Sequence, residues 1–170
     1  MKARKLFLTA MTIASVMLFN ACEEDPCKDV TCTNGTPTEL LGSCHCECDA
    51  GYEGNDCGTV SRDKFIGNFT ANDNCASASY DVEIVTSSSG VDKILVKDFG
   101  KFLCNGDAPD VVASVDEGAL TIASQTFCSG YITISGTGTI SSNSNTITIT
   151  YATDTTGGSG FNCTAVLTRQ

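Results

Sequence analysis

Eleven cysteines and a single histidine are the residues of this 170-residue chain with the most chemistry in them. Cys44-His45-Cys46-Glu47-Cys48 places three sulfurs and an imidazole within five positions, a donor set able to hold a soft metal. Neighbours in an extended segment point to opposite sides, however, and cysteines this dense belong to an oxidising compartment where they pair with one another. No metal or other cofactor is therefore expected. With His45 as the only histidine, a Ser-His-Asp or Cys-His centre has no base elsewhere in the chain. Asp81, Glu83, Asp98, Asp107, Asp110, Asp116 and Glu117 leave a carboxylate-pair hydrolase open, but most of them fall on outward phases or in turns, the usual places of solvated acids. Gly157-Gly158-Ser159-Gly160 precedes no helix and reads as a hairpin tip, not a phosphate cradle. The chain is accordingly read as no enzyme.

The first residues carry an address. Lys2, Arg4 and Lys5 precede a charge-free stretch from Leu6 to Phe19, the pattern of a secretory signal, over residues 1–21. Leu18-Phe19-Asn20-Ala21 then leads into Cys22, and this stretch resembles the lipobox of bacterial lipoproteins, in which cleavage occurs before an acylated cysteine. The resemblance implies lipidation of Cys22 and membrane attachment. Cysteine parity agrees, because removing Cys22 leaves ten, which can all pair. Acyl chains contribute about 0.8 kcal/mol per buried methylene, so two or more make a stable anchor. Loss of the signal takes the net charge from −10 to −13, which excludes a basic nucleic-acid surface. Residues 22–26 form an acidic tether; Glu23-Glu24-Asp25 is either a solvated spacer or an export tag, and it resembles the acidic signals that send Bacteroidota lipoproteins to the outer face of the outer membrane.

Residues 27–57 hold six cysteines and few apolar residues, so cross-links must stand in for a core. The run Cys46-x-Cys48-x-x-Gly51-Tyr52-x-Gly54-x-x-Cys57 resembles the C-terminal half of an EGF-like domain, and Pro26-Cys27 with Cys32-Thr33-Asn34-Gly35 resembles its opening. The resemblance implies the pairs Cys27–Cys44, Cys32–Cys46 and Cys48–Cys57. Cys44 departs from the family's spacing by sitting only two places before Cys46. Calcium-binding modules of this family carry an acidic-x-acidic-acidic run just before the first cysteine and an Asn or Asp with an aromatic between the third and fourth; here Glu23-Glu24-Asp25-Pro26 precedes Cys27 but only His45 lies between Cys44 and Cys46, so calcium is open but not supported.

A polar linker is expected over residues 58–64, and an antiparallel β domain over 65–170. Tyr80-Val82-Ile84, Val111-Ala113-Val115, Leu120-Ile122 and Ile147-Ile149-Tyr151 alternate with polar or small residues, a period of two, and turn residues separate them. About eight strands in about a hundred residues imply an all-β fold: a meander β-barrel, with a β-sandwich as the alternative. For Cys75, Cys104, Cys128 and Cys163 three connectivities exist; position favours Cys75–Cys163, tying the ends, and Cys104–Cys128, joining middle strands. Phe65-Ile66-Gly67-Asn68-Phe69 resembles the first strand of lipocalin-like barrels, and the whole layout resembles small Bacteroidota lipoproteins in which an EGF-like module precedes a β domain. Asn34-Gly35-Thr36, Asn68-Phe69-Thr70 and Asn162-Cys163-Thr164 match the glycosylation sequon, here read as coincidences of an Asn- and Thr-rich surface.

Two functions remain. In the first, an EGF-like spacer displays the β domain as a non-catalytic binding or adhesion module contacting a protein or glycan at the cell surface, on an outer-membrane lipoprotein. In the second, the barrel carries a small apolar ligand. Phe69, Tyr80, Ile84, Ile149 and Leu167 are large enough to fill a narrow barrel, which favours the first.

Overall fold

The structure is a computed structural model that describes residues 24–100, 110–158 and 160–170. Cys22, Cys104 and Asp107 lie outside the described residues, as does the signal segment. By contact density the chain divides into two compact units: residues up to Val30 with Pro37–His45, and Thr31–Thr36 with Cys46–Gln170.

The cysteine-rich region is a hairpin and a short ribbon. Strands β1 (Gly35–Leu40) and β2 (Ser43–Cys48) form one two-stranded sheet, turning at Leu41 and Gly42, and β3 (Tyr52–Glu53) pairs with β4 (Thr59–Val60) in another. Disulfides join Cys27 to Cys44, Cys32 to Cys46 and Cys48 to Cys57. Gly51 and Gly54 hold φ of 90° and 96°, values at which a side chain would be strained.

The division does not follow the expected boundary at Cys57, since residues 46–57 belong to the same unit as the β domain. Packing explains this. A Cβ at Gly51 would stand 2.9 Å from the backbone nitrogen of Asp92, Ser61 N–H donates to Gly51 O, and Glu53 pairs with Lys64 at 2.6 Å. Residues 58–64, expected as a polar joint, instead supply β4 and most of a 3-10 turn, Ser61–Phe65, in which Ser61 and Phe65 are wholly buried. Their polarity serves the fold: Arg62 donates to the carbonyls of Ser87, Gly90 and Lys93.

Eight strands then follow in a closed antiparallel meander: β5 (Gly67–Asp73), β6 (Tyr80–Thr86), β7 (Lys93–Lys97), β8 (Val111–Asp116), β9 (Ala119–Phe127), β10 (Ile132–Ile140), β11 (Thr146–Thr155) and β12 (Phe161–Arg169). Each pairs with the next, and β12 returns to β5 with Arg169 opposite Phe69 and Ala165 opposite Asp73, so no edge is left open. The barrel thus replaces the sandwich alternative. Alternation places Phe69, Ile84, Ile94, Val96, Ile134, Ile149 and Leu167 inward at 0% exposure. Gly136 faces inward opposite Tyr151, where a Cβ would come within 2.7 Å of the Tyr151 Cβ; the missing side chain is what admits the tyrosine. Between Ile134 and Gly136 the β9–β10 register shifts, and the Gln125 amide meets both the N–H and the C=O of Val112, replacing the strand neighbour that the bulge removes.

Candidate functional site

The two ends of the barrel are built differently. At one end the 3-10 turn lies beside the start of β5 and the end of β12. The Arg169 guanidinium donates to the carbonyls of Ile66, Lys64 and Ser144 and rests over the Phe69 ring, 4.6 Å from its centre. A Cβ on Gly67 would collide with the same guanidinium, so the glycine and the arginine close this end as a pair.

The opposite end holds polar chemistry that the alternation pattern brings inward. Asp73, in phase with Phe69 and Ala71, is only 5% exposed. One of its carboxylate oxygens accepts the hydroxyls of Tyr151 at 2.6 Å and Tyr80 at 3.0 Å, and the other accepts Cys75 N–H at 2.9 Å. Desolvation holds the Tyr80 hydroxyl well above its usual pKa, with the negative charge of Asp73 adding to it. Tyr151 is raised further, by burial first and by its bond to Asp73 second. Both hydroxyls are thereby kept as donors, and three donors onto one carboxylate make it a fixed acceptor. Phe99 packs edge-on to Tyr151 with ring centres 5.0 Å apart. Asp73, Cys75 and Cys163 bring ligand-type atoms within 4.8 Å of one another, but the two sulfurs are bonded together and offer no thiolates.

Next to this cluster a cleft of about 540 Å³ opens to solvent, lined by Asn74, Cys75, Tyr131, Ile132, Thr153, Thr155 and Phe161. Tyr131 follows the 3-10 turn Cys128–Gly130, and Phe161 is the first residue of β12. Thr153 is buried, and its hydroxyl accepts Phe161 N–H. The Cys75–Cys163 disulfide braces one side.

The residues singled out in the sequence fall elsewhere. His45 is exposed on β2, whereas Cys44 and Cys46 on either side of it are half-buried in disulfides, so the five-residue donor run forms no common site. Asp81, Glu83, Asp98, Asp110, Asp116 and Glu117 are all exposed, Glu83 in an ion pair with Lys97 at 2.9 Å. Cys75 is bonded to Cys163, and Cys128 is also a disulfide cysteine whose expected partner Cys104 lies outside the described residues. Sequence reasoning misses Asp73, Tyr131 and Phe161 as site residues. The phase of Asp73 on β5 is a signal that could have found it, while the two aromatics sit at strand ends, where periodicity carries no information about proximity. The chain matches no protein-family model and no curated protein.

Proposed function

We propose that this is a lipid-anchored cell-envelope protein, exported and acylated at Cys22, whose β-barrel is a non-catalytic binding module. The observation that carries the reading is that all nine cysteines among the described residues are in disulfides, the state of a chain folded outside the cytoplasm. Cys22 stands apart from them at the head of an acidic tether, as a lipid attachment point should. The non-catalytic part of the reading is supported by the acids: Asp81, Glu83, Asp98, Asp110, Asp116 and Glu117 are exposed, and Asp73, the one buried acid among the described residues, already accepts three donors.

A carrier role within the barrel has less support. Phe65, Phe69, Phe99 and Tyr151 are at most 1% exposed and occupy the interior with the aliphatic core, so a ligand has to bind at the end or on the outer face. Feeding cells an alkyne-bearing palmitate and treating them intact with external protease tests the anchor and the display together. Label on the wild type but not on Cys22→Ala, with loss of the barrel to protease, is the expected result. Failure of Cys22 to take label, or complete protection, would refute the reading.

A further inference from the structure

We propose that the open-end cleft is the binding site itself and that its ligand is a neutral sugar unit; this rests on the barrel being a binding module and names the class of ligand it takes. Among the described residues the large apolar side chains left exposed include two aromatics, Tyr131 at 56% and Phe161 at 59%, and both line this one cleft. Exposure of two rings has a cost in water that a ligand face laid against them would remove. The cleft lies within the range of about 300–1,000 Å³ usual for small-ligand sites.

Its chemistry narrows the ligand. No charged side chain is among its described lining residues, and no Asp, Glu, Lys or Arg occurs from Gly118 to Thr153, so among the described residues of the cleft neither an anion nor a cation finds a charged partner. Asn74 and Thr155 place an amide and a hydroxyl beside the two rings, while the buried Thr153 hydroxyl holds Phe161 N–H. A wholly apolar ligand must be mostly enclosed to bind well, and this cleft opens to solvent, with buried Ile132 and Thr153 in its wall. What fits an open cleft with aromatic walls and a neutral polar rim is a molecule with one face of C–H groups and an edge of hydroxyls. A pyranose ring is built that way. The disulfide at Cys75–Cys163 and the fixed Asp73 cluster hold the walls in place without ligand, so little ordering opposes binding.

The test is titration of the purified full-length chain in detergent with a panel of neutral oligosaccharides of glucose, galactose, mannose and N-acetylhexosamine units. Binding of at least one series is expected, weakened about tenfold or more in Tyr131→Ala and in Phe161→Ala and unchanged in Thr137→Ala on the outer wall. Both aromatic positions are exposed, so unchanged melting of the variants separates a lost contact from a lost fold. The proposal is overturned if no neutral sugar binds, if the double aromatic variant binds as well as wild type, or if a fatty acid takes the cleft and sugars do not. Because the assay needs neither a membrane nor an acyl chain, sugar binding without surface display refutes only the anchoring reading, and display without sugar binding refutes only this one.

Discussion

Tyr80 and Tyr151 converge on a single oxygen of Asp73, and the arrangement ties barrel stability to pH in one direction. Both hydroxyls titrate above their ordinary value in the folded chain, so folding favours their protonated form. The stabilisation is complete below about pH 10, the unfolded tyrosine value, and is lost as pH rises from there towards the elevated folded values. Resistance to urea should therefore hold up to about pH 10 and fall as pH rises above it. Tyr151 dominates, since its side chain is buried and Tyr80 keeps some contact with water. In Tyr151→Phe the neutral-pH stability drops by about 1 kcal/mol through the lost hydrogen bond, and the alkaline decline becomes shallower. Urea melts of the two proteins across that range decide the matter, and parallel declines would show that the tyrosine is not responsible.

At the scale of elements, the 3-10 turn Ser61–Phe65, the start of β5, the end of β12 and the turn after β10 meet at Arg169. Its planar fork reaches the carbonyls of Lys64 and Ile66 in one segment and of Ser144 in another while its face covers Phe69, a geometry that an ammonium cannot reproduce. Arg169→Ala is expected to cost about 3 kcal/mol, since carbonyls lose charged donors and an aromatic face loses its cation. Arg169→Lys should recover less than half of that in chemical denaturation, and full recovery would mean that charge alone matters. None of this was legible in the sequence. Strands were, because Val82-Ile84 or Ile147-Ile149-Tyr151 alternate against polar neighbours and a closed meander follows from short connections. The segment 58–64 was not, because a hydrophilic run looks the same whether its polar groups meet water or, as with Arg62, the carbonyls of a distant turn. Phe65-Ile66-Gly67-Asn68-Phe69 pointed to the start of a barrel, but the need for Gly67 became physical only once Arg169 was found against it.

For the whole molecule the critical contact is the seam between β12 and β5, which pairs Arg169 with Phe69 across a hundred residues of chain. Every other barrel pairing joins consecutive strands, so closing this seam carries the largest loss of chain entropy in folding. The Cys75–Cys163 disulfide spans 88 residues and lies at one end of that seam, turning its most remote contact into a local one before folding begins. Chain-entropy reasoning gives about 4–5 kcal/mol for a loop of this length, and the effect resides in the unfolded state. Replacing both cysteines with alanine should consequently slow folding far more than it accelerates unfolding, since strands already paired in the native barrel gain little from the link. Stopped-flow refolding and unfolding in urea, compared between the wild type and Cys75→Ala/Cys163→Ala, measure the two limbs separately. Should the unfolding limb instead take most of the change, the bond would be holding the native seam together, and the open-end cleft braced by it would loosen in the same variant.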